Sequence, residues 1–187
     1  LARLAGHSEL AARQAAYRLV QRGWLTRLGR GLYANMLCPE GPPTSEQAAA
    51  ILYPPAYISL SSALFAHGVA DPAPHVLTCV TTNKTRRFQT GLGEISYQHI
   101  KPALFFGYSL ERGVALAVPE KAALDFVYLE LQNGREPVLD EWNWSEIDPA
   151  ALGAWAPGFP RTVGEILSGR SEPPLTRARR VRRPARW

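Results

Sequence analysis

A chain of 187 residues, with 46% hydrophobic and 20% charged side chains, can bury one large core or two small ones. It has no apolar run near the roughly 20 residues that a membrane-spanning helix needs and no recognisable signal peptide, which excludes a membrane-embedded class and favours the cytoplasm. Cys38 and Cys79 have neither metal-ligand nor disulfide spacing, which also favours a reducing compartment.

The net charge of +5 is unevenly distributed along the chain. Residues 1–35 contain six arginines against a single acid, and residues 36–110 balance four basic with four acidic side chains. Residues 111–172 have five basic and eleven acidic side chains, whereas residues 173–187 have six arginines and no acid. Localised positive charge at both ends favours an anionic partner such as nucleic acid.

The first predicted element is a helix from Ser8, a suitable N-cap, to about Arg22, with Gly23 as its C-terminal stop. Its apolar face repeats at helical spacing and consists of Ala12, Ala15, Ala16, Leu19 and Val20. The opposite face carries Arg13, Gln14, Tyr17, Arg18 and Gln21.

A hairpin is predicted directly after this helix. Residues 24–28 form an apolar strand, Gly29-Arg30-Gly31 a cationic turn, and residues 32–34 a second strand. Helix, strand, cationic turn and strand is the order of a winged helix-turn-helix, in which the helix reads the major groove and the hairpin is the wing. Only residues 1–6 precede the helix, so we expect the first helix of such a domain to be missing or very short.

Long cationic and amide side chains on such a helix can reach base edges and phosphates. The candidate DNA-binding residues are therefore Arg13, Gln14, Tyr17 and Arg18 on the helix, with Arg27 and Arg30 on the hairpin. A solvated helix face and a plain hairpin turn are the alternative interpretations of the same residues.

A proline-rich linker is predicted at residues 38–43, and a second domain follows it. Thr44 to Gln47 has capping-box spacing and should start a helix through Tyr53, and residues 59–67 should form another. Strands are predicted at Val76–Thr82, Glu94–Ile100, Ala103–Tyr108 and Val114–Val118. Residues 81–87 between the first two are predicted as a basic loop, either solvated or in contact with phosphate or a partner.

Pro119 is well placed to begin a helix through Gln132. Residues 137–169 give weak signals for two short helices among three tryptophans, which suit either a core or a protein interface. The arginine-rich tail beyond Pro173 is expected to be flexible when free. It could add nonspecific phosphate affinity or lie on the acidic segment of its own chain.

Patterns typical of enzymes are weak. Lys121 and Asp125 are four apart on the predicted helix, so an ion pair explains them, and Glu120 suits the first helical turn. The four histidines have no metal-ligand spacing, and His67 beside Gly68 reads as a helix-end residue interacting with terminal carbonyls. Neither a G-x-S-x-G elbow nor a Walker-type loop is present. We therefore expect no catalysis, no metal and no cofactor.

Several sequence blocks together resemble one family. Residues 18–34, RLVQRGWLTRLGRGLYA, resemble the N-terminal winged helix of AbiEi-type antitoxins of bacterial abortive-infection, type IV toxin–antitoxin systems. Residues 57–64 followed by His67-Gly68 resemble the family's "YISLxSAL…HGL" element. Residues 80–82, 93–99 and 106–108 match its strand segment, and residues 118–125 resemble its "PEKALLD" helix start. The arginine-rich end is outside the family pattern.

This resemblance implies an α+β fold, with an N-terminal winged helix-turn-helix followed by a mixed α/β domain containing a small, mostly antiparallel sheet. We place the winged helix at residues 1–37, the linker at 38–43, the antitoxin domain at 44–172 and the basic tail at 173–187. The implied function is repression of the antitoxin–toxin operon by binding operator DNA, as a homodimer on repeats, and neutralisation of a nucleotidyltransferase toxin. The alternative is an antitoxin that binds its toxin directly, with the winged helix as a scaffold.

Overall fold

The computed structural model describes residues 9–169, so the predictions for Ser8 and for the basic tail lie outside the described residues. The α-helices in this range are α1 (Glu9–Gln21), α2 (Ser45–Leu52), α3 (Leu60–Ala66), α4 (Pro119–Gln132), α5 (Pro149–Trp155) and α6 (Arg161–Ser168). The strands are β1 (Leu25–Gly29), β2 (Leu32–Asn35), β3 (Ala56–Ile58), β4 (Leu77–Thr81), β5 (Arg86–Thr90), β6 (Gly93–His99), β7 (Tyr108–Glu111) and β8 (Val114–Ala117).

The strands form two sheets. The antiparallel hairpin β1–β2 is one of them, and the other is a six-stranded sheet in the order β5-β6-β4-β3-β8-β7. In the larger sheet β3–β4, β5–β6 and β7–β8 are antiparallel, whereas β3–β8 and β4–β6 are parallel. The fold is thus α+β, as predicted, and its main sheet is mixed.

Side chains on the two faces of the six-stranded sheet enter two hydrophobic cores. On one face Tyr57 and Val80 pack with α3 to α6. Their chain neighbours Ile58 and Cys79 point to the opposite face, where they pack with α2 and the β1–β2 hairpin. This alternation is the period-two geometry of a strand, and it requires strands β3 and β4 to be apolar on both sides.

Local sequence signals predicted several helix ends. The capping box of α2 is confirmed: the Gln47 amide donates to Thr44 Oγ1 (3.3 Å), and the Gln47 side-chain oxygen accepts from the Thr44 amide (3.0 Å). Pro119 is the first residue of α4, which ends at Gln132 as predicted. His67 does end α3, but its Nε2 donates to Ala117 O in β8 (2.8 Å) instead of to carbonyls of the helix terminus.

The predicted strand over residues 103–108 is wrong. Pro102–Leu104 is a 3-10 helix, and the strand begins only at Tyr108. Phe105 and Phe106 occupy this turn because it packs against other aromatic rings. The ring centroids of Phe105 and Tyr57 are 4.9 Å apart. Apolar residues that pack at a turn therefore gave the apolar run that is typical of a strand.

Two strands were not predicted. Strand β3 has only three residues, and strand β5 contains Arg86 and Arg87, which were assigned to a basic loop. The guanidinium carbon of Arg86 lies over the ring of Phe88, 4.8 Å from its centroid, so this arginine packs on an aromatic residue of its own strand. Polar residues are common on an exposed edge strand, so the alternation of apolar and polar residues that identifies a strand is weak there.

The tryptophans of the acidic segment belong to the core. Trp142 is buried, and Trp144 and Trp155 are half-buried against the same cluster. The ring centroids of Trp142 and of Phe126 on α4 are 5.4 Å apart. This outcome favours the structural alternative over an interface for these three residues.

Candidate nucleic-acid interface

Helix α1 ends where Gly23 adopts a positive φ of 71°. The Gly23 amide donates to Val20 O (2.9 Å), and the Trp24 amide donates to Leu19 O (3.0 Å). This is a Schellman arrangement, which satisfies two terminal carbonyls and turns the chain directly into the hairpin. The Arg22-Gly23-Trp24 sequence therefore sets the angle between helix and hairpin.

The side of α1 predicted to contact DNA is open to solvent. Arg13, Gln14, Tyr17 and Arg18 are all exposed, Tyr17 by 65%, and together they line one shallow surface of the helix. Of the predicted apolar face, Ala16 is buried, whereas Ala15 is exposed.

The hairpin presents Arg27 and Arg30, both exposed. Arg27 pairs with Tyr33 in the β1–β2 register, and an irregularity follows between Arg27 and Gly29. Gly31 closes the turn with a φ of 73°, a conformation that glycine adopts without strain. Arg30 thus lies at the tip of the hairpin.

Helix and hairpin enclose one groove. Arg13 and Tyr17 line it from α1, and Arg27 and Arg30 line it from the hairpin. Gln14 and Arg18 lie on the adjoining helix surface, which shares Arg13 and Tyr17 with the groove. The six predicted residues therefore form one continuous surface, which we call the basic face.

The charge of the basic face is weakly compensated. Residues 9–35 contain five arginines, and Glu9 is their single acid. Glu9 Oε1 accepts from Arg13 at 2.6 Å, but both side chains are well exposed, and such surface pairs contribute at most about 1 kcal/mol. The Nε groups of Arg18 and Arg27 donate only to nearby backbone carbonyls, at 3.4 and 3.3 Å. These guanidinium groups can therefore exchange their present partners for phosphates or base edges at little cost.

Other residues at or near the basic face were not among the predicted DNA-binding residues. Gly31 and Tyr33 line the groove beside Arg30. The guanidinium of Arg22 lies 5.4 Å from the ring centroid of Trp24, which holds a fifth arginine beside the hairpin. The adjacency of Arg22 and Trp24 around a helix-stopping glycine was the signal that could have identified this pair.

The hairpin is attached to the six-stranded sheet. Leu28 is only 1% exposed and packs in the same core as Ile95 and Tyr97 of β6. Next to it, the Gly91 amide donates to Arg27 O (2.9 Å), and a Cβ added at Gly91 would overlap Thr26 Oγ1. Arg27 and Arg30 are thus presented by a hairpin that the rest of the protein holds in place.

A second polar cluster is enclosed in the main core. Lys121 Nζ donates to Asp125 Oδ1 and to Tyr57 Oη (2.8 Å), and both the lysine and the aspartate are fully buried. Asp125 Oδ2 also accepts from Tyr57 Oη (2.8 Å) and from Ser59 Oγ (2.9 Å). The predicted ion pair is therefore confirmed, and it lies in the interior of the protein.

Burial dominates the electrostatics of this cluster. Loss of solvation lowers the pKa of Lys121 and raises the pKa of Asp125, and the attraction between the two charges opposes both shifts. Burial also raises the pKa of Tyr57, with the Asp125 charge adding to the effect. The tyrosine therefore remains a hydrogen-bond donor to the carboxylate.

Aromatic rings close the cluster from outside. The rings of Tyr57, Phe106 and Phe159 have their centroids 5.1 to 5.3 Å from Lys121 Nζ. At Gly107, φ is 72° and an added Cβ would lie 2.9 Å from Lys121 Cγ, so glycine is needed there. The arrangement joins β3, the turn before β7, and α4, and it encloses the Lys121 side chain completely.

Among residues 9–169, no group of three or more histidine, cysteine, aspartate or glutamate side chains is arranged to hold a metal ion. Within the same range, no helix has the length and apolar character required to cross a membrane.

Comparison with known proteins identifies the segment that forms the basic face. The model of a family described as "Transcriptional regulator, AbiEi antitoxin" matches residues 2–35, which contain α1, β1 and β2. No curated protein shows a significant match to the chain. No solved structure does so either. The resemblance predicted from the sequence is thus confirmed for this segment: over residues 2–35 the chain is similar to the AbiEi antitoxin family of transcriptional regulators.

Proposed function

We propose that this protein is a DNA-binding transcriptional repressor that acts as the antitoxin of a type IV toxin–antitoxin system. The observation that carries this proposal is the basic face, where Arg13 and Tyr17 of the helix and Arg27 and Arg30 of the hairpin line one groove. A helix beside a cationic hairpin fits duplex DNA when the helix lies in the major groove and the hairpin contacts the backbone or the minor groove.

Specific roles follow from the chemistry of the side chains. Arg13 and Arg18 suit guanine edges or phosphates, and Gln14 suits an adenine edge. Tyr17 and Arg27 would clamp the backbone, and Arg30 at the hairpin tip would contact phosphate or the minor groove. Two copies on an inverted repeat, one helical turn apart (about 34–36 Å), would give the symmetric operator expected of such a repressor.

The decisive experiment is fluorescence anisotropy with the DNA upstream of the gene, compared with a scrambled duplex. We expect the Arg13→Ala/Arg18→Ala variant to lose its preference for the operator. Arg161→Ala is the matched control, because that arginine is exposed on α6 and pairs with Glu165, away from the basic face. Unchanged operator binding by the double variant would refute the assignment of these residues.

We also propose that the protein is not an enzyme and counteracts a nucleotidyltransferase toxin as an antitoxin in the cytoplasm. Lys121 and Asp125 are the pair that most resembles a catalytic constellation, and their complete burial supports a structural role. A nucleotidyltransferase encoded beside this gene and neutralised by co-expression would support the pairing. Full toxicity in the presence of this protein would contradict it.

Direct binding to the toxin is the second candidate function. Strand β7 supports it, because it lies at one edge of the six-stranded sheet with its four residues exposed, including Leu110 at 71%. An exposed edge strand with an apolar side chain can accept a strand from another protein. Co-purification at micromolar concentration, lost on Leu110→Lys, would favour this candidate, and the absence of any complex would count against it.

A further inference from the structure

A cavity of about 420 Å³ lies beside the six-stranded sheet, on the face that also holds the hairpin. Helix α2 and the end of α3 form two of its walls, and the β5–β6 turn with residues 73–75 forms the rest. Cavities that bind small ligands in proteins usually have volumes of about 300–1,000 Å³. This one therefore has the size of a small-molecule site.

The floor of the cavity is apolar. Ile58, Leu77 and Leu116 come from the neighbouring strands β3, β4 and β8, and each is at least half-buried. Phe65 adds an aromatic ring at the end of α3 and is 41% exposed. A ligand that fits this floor needs an apolar body, because the side chains there have no hydrogen-bonding groups.

The rim of the cavity carries negative charge. Glu46, Glu94 and His75 are its titratable side chains, and among the described residues that line it no lysine or arginine is present. Glu94 already pairs with Arg87 at 3.2 Å. Glu46 accepts only from the Ser45 hydroxyl at 3.2 Å and has no cation within ion-pair distance in the described part of the chain.

The charge of Glu46 also acts on the hydrophobic core on this face of the sheet, to which Cys79 and Ile58 belong. Burial raises the pKa of the Cys79 thiol to about 12, and the negative charge of Glu46 contributes to that rise. A cation placed beside Glu46 would therefore interact with a carboxylate whose charge is not neutralised by a neighbour.

We propose that this cavity binds small amphipathic amines, with the apolar part on Ile58, Leu77 and Leu116 and the protonated amine at the carboxylate of Glu46. The floor selects an apolar body, and the rim selects a cation over an anion. The site is separate from the basic face, so the proposal does not depend on DNA binding.

Phenethylamine is the probe for this site, with 2-phenylethanol as its neutral counterpart and 3-phenylpropionate as its anionic one. Each is titrated into the full chain, and the backbone amide shifts are followed by NMR. We expect saturable shifts at Ile58, Leu77 and Leu116 with the amine. We expect about tenfold weaker binding of the alcohol, because it lacks a charge-assisted hydrogen bond to Glu46, and no binding of the acid.

Two variants test the charge of Glu46 and the space in the cavity separately. Glu46→Gln keeps the shape and should weaken amine binding about tenfold while leaving the alcohol unchanged. Ala66→Trp places a large ring in the cavity and should abolish binding of both, with circular dichroism confirming that the variant is folded. Glu141→Gln is the control, since Glu141 is exposed and outside the cavity, and it should bind like the original protein.

Equal affinity for amine and alcohol, unchanged amine binding by Glu46→Gln, or shifts confined to residues outside the cavity would each overturn the proposal. Loss of amine preference in Glu46→Gln together with loss of all binding in Ala66→Trp would establish the site.

Discussion

The backbone amide of Gly91 donates a 2.9 Å hydrogen bond to the carbonyl oxygen of Arg27. This bond joins the turn between β5 and β6 to the strand that carries one of the cationic side chains of the basic face. Beside it, Thr26 packs so closely on Gly91 that an additional methyl group would overlap Thr26 Oγ1. The hairpin position is therefore set by a contact between segments more than sixty residues apart.

The close approach of Gly91 and Thr26 gives a stability prediction. Gly91→Ala should destabilise the fold by about 1–3 kcal/mol, as is typical of overpacking, and Thr26→Ala in the same chain should restore most of the loss. Urea unfolding of the two single variants and the double variant measures this coupling. Gly153→Ala on α5 is the control: nothing lies within 4 Å of its new methyl group, so no loss is expected. Additive losses at Thr26 and Gly91 would show that the two residues do not constrain each other.

A second prediction concerns the buried pair of Lys121 and Asp125. Asp125→Asn should cost about 3–5 kcal/mol at neutral pH, because it leaves a buried ammonium without its counter-charge. Arg161→Ala should change stability by less than about 1 kcal/mol, because its pair with Glu165 is on the surface.

The deficit of Asp125→Asn should also depend on pH. Burial lowers the pKa of Lys121 in the folded state, so the unfolded chain binds more protons and stability rises with pH toward the ordinary lysine range. Denaturant melts at pH 7 and pH 9.5 should therefore show a smaller difference from the original protein at the higher pH. A deficit that is constant across this range would contradict this prediction, because it would mean that the substitution does not change the number of protons that folding releases from Lys121.

Thiol reactivity should differ between the two cysteines. Cys79 is buried, and its thiol pKa of about 12 leaves on the order of one thiolate in 10⁴ at pH 8. Cys38 is partly exposed, so it should react with an aromatic disulfide reagent within minutes, whereas Cys79 should react only after unfolding. In Cys38→Ser the rapid phase should disappear. A rapid phase that persists in this variant would mean that the core around Cys79 opens readily.

Arg30 at the hairpin tip should act on DNA through charge. If it contacts phosphate, Arg30→Ala weakens binding to operator and scrambled duplexes alike and lowers the slope of log K against log salt by about one. Anisotropy titrations at several salt concentrations measure that slope, with Arg135→Ala as a control, because Arg135 pairs with Glu130 on α4. An unchanged slope, or a loss restricted to the operator, would assign Arg30 a different contact.

The parts of the fold that sequence predicted well depend on near neighbours. The glycine stop at Gly23 and the capping box at Thr44 use groups within five residues of one another, so their patterns are local. The prediction of a strand at residues 103–108 was wrong because Phe105 and Phe106 contact Tyr57 and Lys121, which are distant in sequence. Their apolar character reflects these contacts and not a strand. The edge strand β5 was missed because its exposed residues are polar.

The candidate site was likewise predicted only in part. Arg13, Gln14, Tyr17 and Arg18 follow from helical spacing, so their common exposure could be predicted. Their position relative to Arg30 depends on the packing of Leu28 against Ile95 and Tyr97, which no local pattern reveals. That these residues contact DNA stays a prediction. The arginine-rich tail lies outside the described residues and adds nothing to this comparison.

The burial of Leu28 also has a consequence for building chimeras. The match of the AbiEi family model ends at residue 35, but strand β1 within it completes a core built from residues far downstream. A graft of residues 1–35 onto another scaffold would leave Leu28 facing water, so the proposed DNA specificity could be transferred only together with an apolar surface that buries this leucine. The exposed side chains Arg13, Gln14, Tyr17 and Arg18 of α1 do not belong to that core, so variants of the proposed DNA specificity are best sought by exchanging those side chains in place.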